Sequence, residues 1–425
     1  MTEKQYQKPK GTADILPVNQ PKWQQIQTAA NKIFSHQYGF GKIETPVFEN
    51  FELFSRSAGE TSDVVSKEMY DFYDKGDRRI ALRPEGTAGV VRAYVENKLY
   101  GPEYEKPVNL YYLESMYRYE RPQSGRLREF HQLGVESFGS DSTKLDATQI
   151  SMVLDFFEEV GLNRNQLMVS INSLGNSQSR DNYRQTLIEY LNQYKDKLST
   201  DSLTRLENNP LRILDSKDPD DIEIVKNAPS ILDSLDEESR IRFEQVQADL
   251  QNLNIPYQID SNLVRGLDYY NHTIFEIVSD SKELGSASTI AGGGRYNGMV
   301  QDFGGPETPA IGFAIGLERL LTLMPEVENK DTLDVYIVKA DEQADDLIMS
   351  LGYKLRKQFN LSVQMDYNNR SLKSQFKSAD RLKAKFTIII GNDELASNSI
   401  SIKNMDSGQQ IQVSLHDIKK ENFEV

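Results

Sequence analysis

Apolar residues recur every three or four positions in the first part of the chain and predict helices there. Trp23 and Ile26 begin one such pattern, which predicts a helix that ends at Gly39. A second amphipathic pattern predicts a helix over residues 144–160. From about 175 to 255 the chain is rich in Asn, Asp, Gln and Ser and keeps mostly helical spacing. We therefore expect this segment to be a helical insertion carried by the main domain.

Short apolar runs between polar segments predict strands. Three of them precede residue 140 and lie at 79–83, 108–112 and 131–138. Residues 263–276, LVRGLDYYNHTIFE, mix apolar positions with arginine, aspartate and two tyrosines. We interpret this stretch as a strand whose polar positions line a small-molecule pocket. Residues 311–321, IGFAIGLERLL, have the pattern of a strand that enters a helix.

Strands and helices alternate in the last quarter of the chain. The predicted elements are strands at 334–338, 362–367 and 386–391, with helices over 342–358 and 371–384 between them. Alternation of this kind is typical of a small α/β domain with a parallel sheet. We interpret LMPEVENKD at 323–331 as the linker, and we expect domains at 1–325 and 331–425.

Composition and charge limit the class of function. The chain has no cysteine, which excludes thiolate metal sites and a cysteine nucleophile, and its four histidines show no metal-binding spacing. No apolar run approaches the roughly 20 residues that cross a bilayer, and the first residues show no apolar signal segment. We therefore expect a cytoplasmic protein without membrane contact. The net charge of −15 argues against a protein that coats nucleic acid through its overall field.

Several arginines occupy positions that suit a phosphate ligand. The sequence contains neither a P-loop nor a dinucleotide-binding glycine motif, so bound phosphates must be held by side-chain cations. Arginine suits this role because its planar fork pairs with two phosphate oxygens. A structural salt bridge is the more common role for one arginine alone, but a polyanionic ligand would give several of them partners at once. The candidates lie beside glycines or apolar strands: Arg118, Arg126, Arg265, Arg295 and Arg319.

A second group of polar residues indicates a smaller ligand. The segment RPEGTAG places Glu85 and Thr87 on a tight turn. In HQLGVE, alternation along a strand puts Gln132, Gly134 and Glu136 on one face, and the glycine leaves space between the two polar side chains. The same alternation also fits a solvated sheet face, and this motif alone favours neither interpretation.

These segments together resemble the bacterial histidyl-tRNA synthetases, a family of class II aminoacyl-tRNA synthetases. ETPVFE (44–49), MYRYERPQSGRLREFHQLGVE (116–136) and AIGFAIGLERL (310–320) resemble the three loose class II motifs. LVRGLDYY (263–270) and AGGGRYNG (291–298) resemble two signatures peculiar to the histidine enzymes. The resemblance runs from end to end of the chain. It implies an α+β fold with an antiparallel class II sheet flanked by helices, the helical insertion, and a C-terminal α/β anticodon-binding domain.

The resemblance also implies a reaction and the residues that serve it. A histidine–tRNA ligase activates L-histidine with ATP to histidyl-adenylate and pyrophosphate, then transfers histidine to the 3′ end of its tRNA. Arg265 and Arg118 are the expected electrostatic catalysts, and no side chain is expected to act as nucleophile. The side chains expected to bind ATP are Arg118, Glu120, Arg126 and Arg319. Those expected to bind histidine are Glu85, Thr87, Gln132, Glu136, Arg265, Tyr269 and Tyr270.

The chemistry of imidazole agrees with those roles. A neutral imidazole presents one N–H donor and one acceptor nitrogen, so a selective pocket needs an acceptor and a donor on opposite sides. Glu136 is the expected acceptor and a tyrosine hydroxyl the expected donor. Such a pocket rejects apolar amino acids by about 10⁴-fold, because its buried polar groups would stay unpaired.

Contacts with tRNA are expected in both domains. The resemblance places Gln123 near the acceptor end. A basic helix face in the last domain, formed by Arg370, Lys373, Lys377 and Arg381, is expected to contact tRNA phosphates, although such faces are often merely solvated. Mg²⁺ is expected to accompany ATP, held by phosphate oxygens and water and not by a protein metal site. The motif near residue 44 implies a homodimer.

Two other functions are alternatives to this one. A non-catalytic, synthetase-like regulatory subunit of ATP phosphoribosyltransferase would resemble the catalytic domain, but such proteins typically lack the histidine signatures and the anticodon domain. Here Arg265, Tyr269, Tyr270 and residues 331–425 are present. A generic RNA-binding protein would leave the five arginines and the pairing of Glu136 with Tyr269 unexplained.

Overall fold

The computed structural model describes residues 6–59, 62–123, 125–284, 289–327, 333–340 and 342–424. The chain divides into two units, Met1–Val327 and Glu328–Val425. Residues 328–331 of the predicted linker lie outside the described residues.

The first unit contains a large sheet, a small sheet and the helices that cover them. Its strands are β1 (Gly41–Lys42), β2 (Phe48–Asn50), β3 (Asp71–Tyr73), β4 (Arg79–Leu82), β5 (Val108–Tyr117), β6 (Glu129–Phe138), β7 (Leu167–Ser173), β8 (Tyr257–Ile259), β9 (Asn271–Ser279), β10 (Thr289–Arg295) and β11 (Ala310–Gly316). Its helices are α1 (Gln20–Ala30), α2 (Phe51–Ala58), α3 (Thr87–Glu96), α4 (Thr143–Glu159), α5 (Ser177–Asn192), α6 (Thr200–Asn208), α7 (Pro219–Val225), α8 (Glu237–Asn252), α9 (Met299–Asp302) and α10 (Leu317–Leu323).

The large sheet has the order β1-β5-β6-β11-β10-β9-β7-β8. The neighbouring strands from β5 to β7 run antiparallel, while the edge pairs β1–β5 and β7–β8 are parallel. The small sheet has the order β2-β4-β3. The predicted α+β fold with an antiparallel sheet flanked by helices is confirmed, although the parallel edge pairs were not expected.

Alternation along β6 separates the core from the polar face of the large sheet. Leu133 and Val135 belong to the main core, which also contains Phe34, Phe156 and Phe313. Since successive side chains of a strand point to opposite faces, Gln132, Gly134 and Glu136 lie on the other face. The first predicted helix is confirmed as α1, extended by π-helical turns over Asn31–Gln37.

The insertion has a core of its own. Helices α5 to α7 bury Tyr183, Leu187 and Ile224 together with residues 263 and 270 of the following loop. Helix α8 differs, because its Phe243 and Val246 pack in the main core of the unit. By its packing, the insertion therefore ends before α8 and not near residue 255.

The predicted strand over residues 263–276 is wrong in its first half. Strand β9 begins at Asn271, and residues 263–270 form a loop. Leu263 and Tyr270 pack in the core of the insertion, and Val264 and Leu267 pack against that core. The apolar residues of this stretch therefore anchor a loop to the insertion. They do not belong to a strand of the sheet.

The second unit is an α/β domain with a mixed sheet. Its strands are β12 (Val335–Lys339), β13 (Val363–Met365), β14 (Phe386–Ile390), β15 (Ser399–Asn404) and β16 (Gln410–Ser414), and its helices are α11 (Asp345–Phe359), α12 (Leu372–Arg381) and α13 (Asn392–Ala396). The order is β13-β12-β14-β15-β16, and the first three strands are parallel as predicted. Strands β15 and β16 are antiparallel and were not predicted. Their short connection permits only a hairpin, since a parallel pair needs a crossover of a dozen residues or more.

Candidate active site

A cavity of about 590 Å³ opens beside the polar face of the large sheet in the first unit. This volume is in the range of small-molecule sites. The structure brings most of the predicted ligand-binding residues to its wall, namely Glu85, Thr87, Arg118, Glu120, Arg126, Gln132, Arg265, Tyr269, Tyr270 and Arg319.

Arg118 is fixed by the backbone at the end of β5. Its Nε donates a hydrogen bond to the carbonyl of Pro84 at 2.8 Å, and its guanidinium lies 5.3 Å from the ring centre of Phe130. Its Nη1 is 3.8 Å from Glu120 Oε1, which is a long ion pair. The backbone therefore sets the direction of the side chain, and its outer amino groups remain weakly engaged within the described residues.

Arg126 and Arg319 bring two more cations to the same wall. Nη1 of Arg126 lies 3.3 Å from Glu120 Oε2, and Nη1 of Arg319, in the first turn of α10, donates to the carbonyl of Thr289 at 2.7 Å. Burial lowers the pKa of Arg319, and the positive charge of Arg126 lowers that pKa further. Positive charge that lowers the pKa of a neighbouring arginine favours an anionic ligand between the two side chains.

Arg265 lies in the loop before β9 and is paired with a carboxylate that the sequence analysis did not single out. Its Nη1 donates to Glu276 Oε1, and Glu276 Oε2 accepts from the hydroxyl of Thr289 at 2.7 Å. Burial acts to lower the pKa of Arg265, but Glu276 outweighs it and holds that pKa above its ordinary value. The Nε of Arg265 is buried without a partner in the described residues. Arg265 is therefore charged, held in place and only partly satisfied.

The glycine at 292 makes room for this arginine. A Cβ at that position would lie 2.3 Å from Nη1 of Arg265, closer than carbon and nitrogen can approach without bonding. The glycine run on β10 thus has a steric role opposite Arg265, which its position in the sequence alone did not reveal.

Glu85 and Gln132 form a polar end of the cavity. The carboxylate of Glu85 accepts the backbone N–H groups of Thr87 at 2.7 Å and Ala88 at 2.9 Å, at the start of α3. Burial nevertheless raises the pKa of Glu85. Oε1 of Gln132 is buried without a partner in the described residues. A ligand with hydrogen-bond donors, such as an amino group, would satisfy these acceptors.

Glu136 lies one layer behind the wall of the cavity. The hydroxyl of Tyr296, which does line the cavity, donates to Glu136 Oε2, while Oε1 is buried without a partner in the described residues. Burial raises the pKa of Glu136 to about 8. Tyr296 also lies edge-on to Tyr269, with ring centres 5.7 Å apart. The carboxylate of Glu136 can accept from a ring N–H, and a tyrosine hydroxyl can donate to a ring nitrogen. A neutral imidazole needs one partner of each kind.

The space beside Gly134 is already filled. A Cβ at that position would lie 2.3 Å from the hydroxyl oxygen of Tyr112, on the neighbouring strand β5. The expectation that Gly134 leaves open space between Gln132 and Glu136 is therefore wrong. The hydroxyl of Tyr112 is buried without a partner in the described residues.

Arg295 does not belong to the cavity. It is fully buried, and its Nε donates to Asp146 Oδ2 at 2.9 Å while two other bonds reach backbone carbonyls at 140 and 142. The expectation that Arg295 contacts a polyanionic ligand is therefore wrong, because α4 supplies its counter-charge. The neighbouring Tyr296 lines the cavity, as do Ala291 and Gly292 of the same signature.

Sequence reasoning missed three residues of the site: Tyr112, Glu276 and Tyr296. Tyr296 stands inside the signature AGGGRYNG, while Glu276 lies beyond the signature LVRGLDYY, at the end of the stretch 263–276. Period-two alternation along β9 was the signal available for Glu276, and its continuation past the end of β10 was the signal for Tyr296. Tyr112 gave no signal, because it is one of many aromatic residues in apolar strands.

The remaining predicted residues lie outside the cavity wall. Gln123 is exposed and pairs with Arg126 through backbone hydrogen bonds of 3.0 and 2.9 Å. In the second unit, Lys373, Lys377 and Arg381 are exposed on α12 and form no ion pair within the described residues.

The prediction that Arg370 belongs to the basic face of α12 is wrong, because α12 begins at Leu372. It precedes the helix, its Nε donates to the buried Asp366, and its Nη2 donates to the hydroxyl of Tyr336 at 3.2 Å. Asp366 also accepts the backbone N–H of Arg370, so the side chain closes a local turn. Arg370 is thus bound to its own turn, while 40% of its side chain stays exposed.

Among the described residues, no cluster of three or more His, Cys, Asp or Glu side chains forms a metal site, and no helix is long and apolar enough to cross a membrane.

Comparisons with known proteins match the chain in both units. A family described as histidyl-tRNA synthetase matches residues 11–320, and one described as anticodon binding domain matches residues 334–421. Over 421 residues the chain is 53% identical to a histidine–tRNA ligase of Ligilactobacillus salivarius, covering 98% of this chain and 97% of that protein. It is 54% identical over 425 residues to a histidine–tRNA ligase of Lactiplantibacillus plantarum, covering 99% of each.

Solved structures give the same result. The apo histidyl-tRNA synthetase of S. aureus superposes with a TM-score of 0.81 at 40% sequence identity, covering 97% of this chain and 98% of that chain. A protein described as an ATP phosphoribosyltransferase regulatory subunit/histidyl-tRNA synthetase from Bacillus halodurans is only 21% identical, with a TM-score of 0.65, and shares the fold.

Proposed function

The chain belongs to the histidyl-tRNA synthetase family, and from that premise we propose how its residues carry out the histidine–tRNA ligase reaction. The full-length identity to ligases favours this reaction over the regulatory-subunit alternative. Residues 1–325 are proposed as the catalytic domain, with the insertion inside it, and residues 331–425 as the anticodon-binding domain.

The first step joins histidine to AMP. A carboxylate oxygen of histidine attacks the α-phosphorus of ATP, the bond from that phosphorus to the bridging oxygen breaks, and pyrophosphate leaves with the electron pair. No proton has to move, so fixed positive charge is the main catalytic need. Arg118 and Arg265 are proposed to supply it at the α-phosphate. Both are held by neighbouring groups before any ligand arrives.

The rest of ATP is proposed to lie along the other cations of the wall. Arg126 is assigned to the β- and γ-phosphates, and Arg319 to the γ-phosphate and the adenine side. Glu120 accepts a hydrogen bond from Arg126 in this structure, and we propose that it orients Arg118, Arg126 and the nucleotide. The lowered pKa of Arg319 supports this assignment, because an anionic ligand would relieve the repulsion from Arg126.

Mg²⁺ is proposed to accompany ATP. The carboxylates of Glu120 and Glu276 line the cavity and offer the oxygen ligands that this hard cation prefers. Each is already paired with an arginine, so phosphate oxygens and water would supply most of the ligands. When bound, the ion would neutralise charge on the phosphates.

Histidine is proposed to occupy the polar end of the cavity. Glu85, Thr87 and Gln132 would hold its α-amino group, and Arg265 would lie near its carboxylate. The imidazole would place one nitrogen toward Glu136, with Tyr269 and Tyr270 around the ring. Because Tyr296 now bonds to Glu136, we add that its hydroxyl must rotate or share that carboxylate when imidazole binds.

The second step transfers histidine to tRNA. The oxygen of the terminal ribose 3′-OH attacks the carbonyl carbon of the adenylate, the bond from that carbon to the phosphate oxygen breaks, AMP leaves with the electron pair, and the hydroxyl proton passes to the departing phosphate or to water. Gln123, exposed beside the cavity cations, is proposed to lie near the acceptor end. The exposed cations of α12 are proposed to contact phosphates of the anticodon arm. Arg370 is proposed only as a minor contributor, since Asp366 already neutralises it.

The single observation that carries this proposal is the convergence of four arginines and an unpaired acceptor set on one cavity. The test is aminoacylation of tRNA transcripts with each of several amino acids, together with ATP–pyrophosphate exchange. Histidine alone should support both reactions. The absence of histidine-dependent exchange would contradict the proposal and favour the regulatory alternative.

The proposed assembly and location follow mainly from the family. We propose a homodimer in the cytoplasm. The small sheet exposes Phe48, Phe72 and Tyr73, which are 56%, 46% and 64% exposed, and an interface would bury such residues. Light scattering on the purified protein measures the mass, and a monomer at micromolar concentration would contradict the proposal.

A further inference from the structure

The loop that carries Arg265 and Tyr269, here named the recognition loop (residues 263–270), has little backbone structure of its own. No backbone–backbone hydrogen bond from residues 264–270 occurs in the described turns and loops, and the segment lies outside the strands. A segment without such bonds opens easily unless other groups hold it. The position of Arg265 therefore depends on what surrounds the loop.

Side chains of the insertion hold the recognition loop at every second residue, 266, 268 and 270. All three contacts are 2.9 Å hydrogen bonds: Arg212 Nη1 to the Gly266 carbonyl, Asn209 Nδ2 to Asp268 Oδ1, and Arg180 Nη1 to the Tyr270 carbonyl. Arg265 precedes the first of these positions, Tyr269 lies between the last two, and both side chains line the cavity. The insertion therefore binds the loop through other residues than Arg265 and Tyr269, whose side chains stay available to a ligand.

Arg212 has a second partner on another wall of the cavity. Its Nη2 donates to Asp63 Oδ2 at 3.1 Å, and only 14% of its side chain is exposed. Asp63 precedes the π-helical turns Val64–Glu68, of which Val64 lines the cavity. Arg205 lies 3.6 Å from the same carboxylate and donates to the carbonyl of Arg212 at 3.3 Å. Arg212 therefore joins two segments that are far apart in sequence.

Both segments lead directly to the proposed catalytic arginines. Gly266 follows Arg265 in the chain, so the bond to its carbonyl restrains the peptide that carries this side chain. On the other side, the carbonyl of Glu68 accepts the backbone N–H of Tyr119 at 2.6 Å, and Tyr119 follows Arg118. A shift of the Arg212 guanidinium would therefore change the distance between Arg265 and Arg118, the two proposed catalysts.

We propose that the insertion positions the recognition loop for histidine activation, and that Arg212 is the positioning residue that joins this loop to the segment 63–68. The inference rests on the proposed function, because it concerns the geometry of that site. Arg212 touches no substrate in this assignment and acts through the backbone of Gly266 and through Asp63.

The test compares Arg212→Ala with Arg184→Ala in the full-length protein. Arg184 is an exposed arginine of α5 that forms no ion pair within the described residues, so it controls for loss of charge from the insertion. In histidine-dependent ATP–pyrophosphate exchange, Arg212→Ala should lower kcat/KM for histidine by about 10- to 100-fold, the cost of a misplaced catalytic group. Arg184→Ala should stay within about twofold of the unmodified protein, the range expected for an exposed side chain without partners.

A structural readout separates positioning from general damage. Limited proteolysis within residues 263–270 should become faster in Arg212→Ala, while the main core stays resistant, because a loop that is no longer held opens more often. A folded Arg212→Ala protein with unchanged kcat/KM and unchanged cleavage in the loop overturns the proposal.

Two outcomes are kept apart by design. If Arg212→Ala does not fold, Asn209→Ala decides, because it removes an exposed bond to Asp268. It should still speed proteolysis in the loop and lower kcat/KM by a few-fold, and no change in either overturns the proposal. If the unmodified protein shows no histidine-dependent ATP–pyrophosphate exchange, the proposed function fails, and proteolysis of the loop alone then supports or overturns the positioning role.

Discussion

The cations of the cavity and the cations of α12 differ in how the protein holds them. Arg118, Arg265 and Arg319 are partly buried, and each is fixed by a backbone carbonyl or a carboxylate. Lys373 and Lys377 are exposed and form no ion pair within the described residues. The first set has its geometry before a ligand arrives, whereas the second offers charge without a fixed direction.

This difference predicts different kinds of function. Preorganised charge in a partly buried site stabilises a transition state at little reorganisation cost, and its effect depends on individual side chains. Exposed lysines attract phosphates through their combined electric field, which salt screens. Each lysine contributes little to binding, and one can largely replace another. The predictions below test the two halves of this contrast.

The largest effect is expected from Arg265→Ala. The side chain is proposed to face the α-phosphate, so its loss should reduce ATP–pyrophosphate exchange by about 10³-fold or more, at the upper end of the cost of a lost electrostatic donor. The matched control is Arg240→Ala, which removes an exposed, salt-bridged arginine of α8. Circular dichroism should show an intact fold for both variants. Near-normal exchange in Arg265→Ala would refute its catalytic role and the contrast with α12.

Removal of the second unit should separate the two functions. A chain that ends at Val327 keeps the main core and every residue that lines the cavity. Exchange should therefore stay within a few-fold of the full-length value. Charging of tRNA should fall by roughly 100-fold, because several phosphate contacts would be lost at once. Unchanged charging would remove the anticodon assignment.

The fold was predictable where a pattern of apolar residues serves a regular element. Trp23 and Ile26 mark α1, and alternation placed Gln132 and Glu136 on one face of β6. The hairpin of β15 and β16 was not predicted, because its strands follow the regular α/β alternation and are not part of it. The strand prediction fails over 263–270 because Val264 and Leu267 are apolar for another reason: they pack against the core of the insertion.

The site was predictable from residue types but not in its pairings. Arginines beside glycines marked the phosphate wall, yet the sequence did not reveal that Arg295 has Asp146 as its partner or that Arg370 has Asp366. Those carboxylates come from other segments or from the preceding turn, and only folding shows which cation they neutralise. The same holds for Glu276, whose pairing with Arg265 depends on the loop geometry.

A smaller effect is expected from the pair Lys373→Ala/Lys377→Ala. If both contact phosphates, the slope of log affinity against log salt should fall by about 1.4 to 1.8, which is 0.7 to 0.9 for each contact. ATP–pyrophosphate exchange should not change. The control pair Lys357→Ala/Lys420→Ala removes the same charge from other exposed positions of the second unit. An equal loss of tRNA affinity in both pairs would show a general charge effect and no specific face.

The smallest effect is expected on thermal stability, from the buried carboxyl group of Glu136, which has no cationic partner within the described residues. Burial raises its pKa from about 4.5 to about 8, while the hydroxyl of Tyr296 opposes the shift. Between these two values the unfolded chain ionises and the folded protein keeps its proton, so stability should fall as pH rises from about 4.5 to about 8 and then level off. Glu136→Gln cannot ionise, so its melting temperature relative to the unmodified protein should rise by a few degrees across that window.

Thermal unfolding at unit steps from pH 5 to pH 9 measures this difference. Glu237→Gln is the control of opposite sign, since the hydrogen bond from Arg240 lowers the pKa of Glu237 and its contribution is lost only in acid. Its melting temperature relative to the unmodified protein should therefore stay level above pH 5. A level difference for Glu136→Gln as well would mean that Glu136 is already ionised in the empty site. The site would then hold a fixed negative charge at Glu136 beside the four arginines of the cavity wall, and the neutral state assigned to Glu136 in the empty site would be wrong.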